Sequence, residues 1–271
     1  MVPKIHKRFI DNAMELLKQD NRILGVAIGG SYIYNEMDEY SDIDLVIAIE
    51  HCHYEEVMTQ RFEIVSRLGH LLSAFTGEHV GEPRLVICLY GPPLLHVDFK
   101  FVSIKDIEKR VEDPIVLWEH DHAISNRLEL GEAKFPMPDL QWIEDRFWVW
   151  IHYCAVKIGR GEIFEAIEAI SFIRQCAVAS LLLMKNGKLP RGVRKIEFDA
   201  PNELPMLKKT IPAYDAQSCV EALSALIELY IDVREYHAVE GFIKRTEAER
   251  YSKEFLDEIL ENTKINNGGR K

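Results

Sequence analysis

Two aspartates separated by one residue begin an apolar run in the sequence IGGSYIYNEMDEYSDIDL, which spans residues 28–45. In a β-strand, side chains two residues apart point to the same face, so Asp42 and Asp44 project together while Ile43 enters the core. Two carboxylates on one face repel each other unless cations lie between them. Hard oxygen ligands of this kind suit Mg²⁺, which also prefers substrate phosphates as partners.

A third carboxylate, Asp98, interrupts the apolar run LLHVDFKFV of residues 94–102. An acid in such a strand is costly unless it is paired or ligates a metal. If this strand lies beside the Asp42 strand, Asp98 joins a cluster that holds two metal ions, and it takes the proton from an acceptor hydroxyl. Lys100 shares the face of Asp98, where it either meets triphosphate charge or neutralises the acidic cluster.

A glycine pair and a serine, Gly29, Gly30 and Ser31, follow the apolar run that begins at residue 23. A strand that ends in this way and opens a helix presents backbone N–H groups and a hydroxyl to a phosphate. Glycine also lets a ligand approach the backbone closely. Alone, the three residues fit an ordinary strand-to-helix turn equally well. Together with three aspartates at this spacing, they predict a metal–nucleotide site.

Helical and strand patterns alternate in the first half of the chain, which predicts an α/β domain with a mixed sheet over residues 1–134. Helices are predicted at 4–20 and 54–75, and strands at 23–30, 42–50, 84–90 and 94–102. The GPP turn between the last two strands predicts an antiparallel hairpin. A short helix from Ser103 and an edge strand at 113–121 complete the predicted domain.

Long helical patterns fill the second half, which predicts an all-α helical bundle over residues 135–271. The predicted helices span 139–160, 162–186, 215–240 and 246–262. The connector at 186–214 contains four prolines and is predicted to be a functional loop. The tail INNGGRK, residues 265–271, is predicted to be disordered.

Composition narrows the partners that the chain can have. The formal net charge of −11 argues against a nucleic-acid partner and favours a cationic small molecule. No uninterrupted apolar run approaches the ~18 residues of a membrane span, so no membrane partner is expected. The five cysteines are scattered singly, without the pairing of a disulfide framework or a zinc site. A cytoplasmic location is the resulting prediction.

The glycine–serine pair, the loop, the Asp-x-Asp motif and the later strand aspartate resemble the nucleotidyltransferase superfamily. That superfamily includes polymerase beta, kanamycin nucleotidyltransferase and the aminoglycoside adenylyltransferases. Its Gly-Ser pair holds nucleotide phosphates and its three carboxylates hold Mg²⁺. The resemblance, carried by about residues 23–102, implies these roles for Gly30, Ser31, Asp42, Asp44 and Asp98.

The aromatic and acidic helices of residues 146–175 are similar to the helical domain of streptomycin-type adenylyltransferases. This likeness implies that ATP is the donor and that AMP is transferred to a hydroxyl of a small acceptor, with release of pyrophosphate. The acceptor, for which an aminoglycoside-like molecule is one option, would be held where the helical domain closes a cleft. Five charged residues have open roles, in phosphate or acceptor contacts or as ordinary helix charges: Lys157, Arg160, Glu162, Glu165 and Arg174.

Two other functions remain open at this point. The acceptor can be a protein side chain, which would make the chain a protein adenylyltransferase or an antitoxin-type regulator. The chain can also be a nucleotide-binding module without turnover, although an idle cluster of buried acids is an electrostatic burden. The acceptor, the choice of nucleotide, any role in antibiotic resistance and the oligomeric state are not fixed by the sequence.

Overall fold

The structure of the chain is a computed structural model that describes residues 2–268, with side chains described up to residue 262. The chain divides into two compact units, Met1–Pro136 and Met137–Lys271. A six-stranded mixed sheet with helices forms the first unit, and the second unit is helical. This architecture confirms the predicted fold class.

The sheet of the N-terminal unit has the strand order β3-β4-β5-β2-β1-β6. Its strands are β1 (Ile23–Ile28), β2 (Ile43–Ile49), β3 (Leu71–Gly77), β4 (Glu82–Tyr90), β5 (Leu95–Ser103) and β6 (Ile115–Glu119). The central strands β2 and β5 are parallel, and the other neighbouring pairs are antiparallel. The predicted β4–β5 hairpin and the predicted edge position of β6 are both confirmed.

Three helices accompany the sheet: α1 (Lys4–Leu17), α2 (Tyr54–Ser66) and α3 (Ala123–Leu128). Apolar side chains of α1 and α2 form one buried cluster with alternate residues of β2 and β5, such as Ile43 and Phe99. A smaller cluster around Ile124 of α3 contains Ala48 and Val102. Since side chains alternate along a strand, the residues between Ile43, Leu45 and Ile47 point away from α1 and α2. Asp44 is one of them.

The second unit is a helical bundle. Its helices are α4 (Leu140–Arg160), α5 (Ile163–Ile173), α6 (Ser180–Lys185), α7 (Ile196–Asp199), α8 (Leu204–Lys209), α9 (Ala216–His237) and α10 (Thr246–Gly268), with a π-helical segment at Arg174–Ala179. Helix α4 begins where Asp139 accepts the N–H groups of Gln141 and Trp142, and it ends at the left-handed Gly161. Phe147 of α4 stacks on Tyr230 of α9 in the centre of the core.

Two local predictions in the N-terminal unit were wrong. The helix predicted at 54–75 ends at Ser66, and residues from Leu71 form the edge strand β3 instead. The apolar residues from Leu71 onward fitted helical spacing because a run this short matches the helical period and the strand period equally well. The helix predicted from Ser103 is a series of turns, in which the Asp106 N–H bonds the Ser103 carbonyl.

Two further predictions were wrong in the helical unit. The connector at 186–214 is not a loop throughout, because it contains the short helices α7 and α8, each with one buried apolar residue, Ile196 and Leu207. Its functional role stays a prediction. The tail predicted to be disordered continues α10 as far as Gly268, whereas residues 269–271 lie outside the described residues.

One continuous stretch, Ile163–Lys185, is long and apolar enough by length and composition to cross a membrane. The sequence analysis did not identify this stretch, because charged residues interrupt its apolar run. Half of its apolar window is buried inside the structure, where Ile170, Ile173 and Ala177 belong to the bundle core. Such composition is equally that of a core helix.

Candidate active site

The three aspartates lie together on the sheet. Parallel pairing of β2 with β5 places Asp44 directly opposite Asp98. Asp42, two residues before Asp44, continues the same side of the chain, while Ile43 is fully buried on the other side. One carboxylate oxygen of each aspartate lies within 4.8 Å of the others, and all three side chains are half-buried. The arrangement therefore concentrates three carboxylates in a small volume.

Asp98 has a buried carboxylate oxygen and a raised pKa. Burial raises its pKa, the charge of Asp42 raises it further, and the nearby imidazole of His96 opposes both effects. His96 Nε2 lies 2.9 Å from Asp98 Oδ1, but the contact lacks hydrogen-bond geometry. This buried oxygen has no hydrogen-bond partner among the residues that the structure describes. Leaving such an acceptor unsatisfied costs about 1–3 kcal/mol, which a cation would offset.

The turn after β1 brings backbone donors to the aspartates. Gly29 donates its N–H to the Asp44 carbonyl over 2.9 Å. Gly30 has a φ of +61°, which strains any residue with a side chain, and a Cβ atom at this position would displace the Asp44 carboxylate. The Ser31 hydroxyl is buried and has no hydrogen-bond partner within residues 2–262. The turn thus offers an unused hydroxyl beside a close approach to Asp44.

The expectation that this turn opens a helix was wrong. Residues Gly30–Tyr32 form a single 3₁₀ turn, followed by a loop that leads to β2. Three residues do not sum to a helix dipole, so the dipole contributes nothing to anion binding here. Any phosphate contact at this point rests on the N–H groups and on the Ser31 hydroxyl.

Lys100 pairs with an acid that the sequence analysis did not select. Its Nζ lies 2.9 Å from Glu82 Oε2, and Arg84 donates two hydrogen bonds to the same carboxylate. These partners lower the pKa of Glu82 to about 2, with the Arg84 hydrogen bonds as the largest cause. Lys100 therefore neutralises a carboxylate of β4, and its predicted phosphate contact stays a prediction.

Sequence reasoning also missed His96 and Glu112. His96 lies two residues before Asp98, so strand alternation puts both on one face and was a usable signal. Glu112 accepts a hydrogen bond from the Gly30 N–H at 2.9 Å. Because 82 residues separate this pair, no local pattern pointed to it.

The donor set fits magnesium. Three carboxylates with one orphaned, buried oxygen are the hard, anionic ligands that Mg²⁺ prefers. A second group with suitably placed atoms, Glu50, Cys52 and His53, is more exposed and includes softer sulfur and nitrogen donors. The aspartate group is therefore the candidate magnesium site of the described residues.

The charged residues singled out in the helical unit bind one another or the backbone. Lys157 pairs with Glu162 at 2.7 Å and with Glu165 at 3.0 Å. Arg160 lies 3.8 Å from Glu162, and Arg174 donates to the Thr210 carbonyl over 2.7 Å. Each of the five residues therefore has a partner inside the unit, and its role at a phosphate or acceptor stays a prediction.

Comparisons with known proteins define the class of the N-terminal unit. Residues 10–116 match the family model described as a nucleotidyltransferase domain. The matched residues lie within the N-terminal unit and carry a nucleotidyltransferase domain, as the resemblance predicts. No curated protein matches the chain by sequence.

Two solved structures are similar over most of the chain. One is an aminoglycoside 6-adenyltransferase from Bacillus subtilis, with 15% identity, 91% of this chain and 97% of that chain covered, and a TM-score of 0.37. The other is a nucleotidyltransferase-like protein from Exiguobacterium sibiricum 255-15, with 11% identity, 84% and 73% covered, and a TM-score of 0.37.

Proposed function

We propose that the protein transfers a nucleotidyl group, AMP from ATP, to a hydroxyl of a small molecule in a Mg²⁺-dependent reaction that releases pyrophosphate. One observation carries the proposal. Asp42, Asp44 and Asp98 converge within 4.8 Å, beside a glycine turn that a Cβ atom would fill. The nucleotidyltransferase domain supplies the reaction class, and the residues supply the roles.

Asp42, Asp44 and Asp98 would hold two Mg²⁺ ions, which when bound neutralise phosphate charge and align the attacking and leaving oxygens. Asp98 would accept the proton of the acceptor hydroxyl, because it lies beside Asp44 in the carboxylate cluster where the reacting oxygens would meet. The hydroxyl oxygen bonds to the α-phosphorus as the bond to pyrophosphate breaks. The Gly30 N–H and the Ser31 hydroxyl orient the phosphates.

The acceptor is the less specified half of the reaction. The net charge of −11 supports a cationic acceptor, and we assign its recognition to the helical unit as part of the proposal. The aminoglycoside-like acceptor of the sequence analysis stays one option.

The proposal includes a cytoplasmic location. The five free cysteines support this location, because disulfides are rare in the reducing cytosol.

A pyrophosphate-release assay tests the proposed function. The purified protein is incubated with each labelled nucleoside triphosphate, Mg²⁺ and a panel of aminoglycosides, lincosamides and metabolite alcohols. We expect pyrophosphate release with ATP and at least one hydroxyl acceptor, and none with EDTA. Label transferred to protein would instead support a protein adenylyltransferase. Nucleotide binding without pyrophosphate release under any condition would identify a binding module and contradict the proposal.

A further inference from the structure

Glu112 lies against the backbone that the proposed function assigns to nucleotide phosphates. Its Oε1 accepts the Gly30 N–H at 2.9 Å. The same oxygen lies 3.2 Å from the position that a Cβ atom of Gly29 would take. An anionic oxygen of this chain therefore already contacts the Gly29–Gly30 backbone, at the edge of the aspartate cluster.

A phosphate oxygen and the Glu112 carboxylate need the same donor. One N–H group makes one strong hydrogen bond, and hydrogen bonds to ionised acceptors are roughly twice as strong as neutral ones. A triphosphate would also meet an additional negative charge beside three aspartates. Glu112 has to leave Gly30 before a phosphate binds there.

The segment that carries Glu112 is fixed by its neighbour Arg110. The Arg110 guanidinium donates to the carbonyls of Leu128 and Gly131, at 3.0 and 2.8 Å, and pairs with Asp113 at 2.5 Å. Its side chain is only 11% exposed. With the backbone anchored on both sides, rotation of the Glu112 side chain is the simplest way to release Gly30.

We infer that Glu112 is a further residue of the nucleotide site, whose carboxylate occupies the phosphate-binding N–H of Gly30 and is displaced when the triphosphate binds. The inference rests on the proposed function, because it needs a phosphate at Gly30. It assigns Glu112 to setting nucleotide affinity: the protein without nucleotide keeps the Gly30 donor satisfied, and the incoming triphosphate competes with an internal anion.

Calorimetric titration with Mg²⁺ and the α,β-methylene analogue of ATP tests this inference, because that analogue binds without transferring AMP. The variants are Glu112→Gln, which keeps the side-chain volume, and Glu112→Ala, which removes the competitor. Glu129→Gln is the control, since it removes one exposed carboxylate from the same unit. Thermal unfolding of each variant identifies any that does not fold, and in that case the other Glu112 variant decides.

We expect the analogue to bind about tenfold more tightly to either Glu112 variant than to the unchanged protein, with Glu129→Gln unchanged. Equal or weaker binding to the folded Glu112 variants, while the unchanged protein binds, overturns the role of Glu112 and leaves the proposed function intact. If neither the unchanged protein nor any variant binds the analogue, the nucleotide site itself is refuted, and the role of Glu112 with it.

Discussion

Two buried carboxylates, Asp98 in the sheet and Glu144 in the helical bundle, have opposite surroundings. Glu144 is fully buried, and it accepts hydrogen bonds from Trp148 Nε1, the Tyr230 hydroxyl and the Arg245 N–H, at 3.2, 2.6 and 2.8 Å. The Arg234 guanidinium lies 3.4 Å away. Each of these four interactions is attractive, and the partners come from α4, from α9 and from Arg245, the residue before α10.

Asp98 has one attractive neighbour, the imidazole of His96, which opposes the rise of its pKa only in part. It faces two other carboxylates, its Oδ1 has no hydrogen-bond partner among the described residues, and its pKa is raised by burial and by Asp42. Removing one partner of a paired buried acid destabilises a fold, whereas acids held among like charges are concentrated at functional sites. The contrast supports the proposal of a functional role for Asp98, and it assigns a structural role to Glu144.

The largest expected effect is on catalysis. Asp44→Asn keeps the size of the side chain but removes a charge that the proposed reaction needs. We expect the rate of pyrophosphate release to fall about a thousandfold, or ~4 kcal/mol, with the free energy of unfolding not reduced. Asp121→Asn, at an exposed position of the same unit, is the control and should keep full activity. Unchanged turnover in Asp44→Asn would remove the aspartates from the mechanism.

The second effect is on stability, and it concerns the paired acid of the helical unit, Glu144. Glu144→Ala leaves Arg234, Trp148 and Tyr230 without their shared acceptor, so we expect a loss of about 3 kcal/mol in the free energy of unfolding. Urea denaturation followed by circular dichroism measures this loss. Glu228→Ala, at an exposed site on α9, should change little. A loss below ~1 kcal/mol for Glu144→Ala would mean that pairing does not explain its burial.

The third effect concerns a paired acid within the sheet. Because Arg84 and Lys100 lower the pKa of Glu82 to about 2, its charge stabilises the folded state above the ordinary pKa of 4.5. That stability is lost as the pH falls from 4.5 towards 2. We expect Glu82→Gln to cost about 1–2 kcal/mol at pH 7, after allowance for solvent screening, and progressively less in acid. A cost independent of pH would point to packing instead of charge.

The smallest effect has the opposite sign. The raised pKa of Asp98 means that its ionised form opposes folding at neutral pH. In EDTA, Asp98→Asn should therefore gain about 1 kcal/mol of stability at pH 7, although its turnover is lost. The gain should disappear as the pH falls below 3.8, where the unfolded carboxyl is also protonated. A destabilised Asp98→Asn would show that Asp98 is held by attractive contacts like Glu144.

The sequence predicted those features that depend on the spacing of apolar residues along a short stretch of chain or on a turn motif. Strand alternation placed Asp42 and Asp44 on one side with Ile43 in the core, and the GPP turn predicted the β4–β5 hairpin. Strand β3 was missed because Leu68, Leu71 and Leu72 fit helical spacing as well as strand packing. Short helices such as α3 and α7 have too few residues to show a period.

The candidate site was predictable in its carboxylates and its glycine–serine turn, but not in the long-range contacts around them. The parallel register that sets Asp44 opposite Asp98 depends on strand order, which one sequence does not specify. Glu82 and Glu112 are unremarkable acids in the sequence, and tertiary contacts with Lys100 and Gly30 give them their roles. Long-range pairs of this kind leave no local pattern.

Binding of a divalent cation tests the central claim most directly, that three carboxylates of the sheet form a metal site. Mn²⁺ serves as the paramagnetic probe in place of Mg²⁺, and electron paramagnetic resonance counts bound ions in the presence of α,β-methylene ATP. We predict two bound ions in the unchanged protein and loss of binding in the Asp42→Asn, Asp44→Asn and Asp98→Asn variants. Equal Mn²⁺ binding by the unchanged protein and by all three variants would contradict the account.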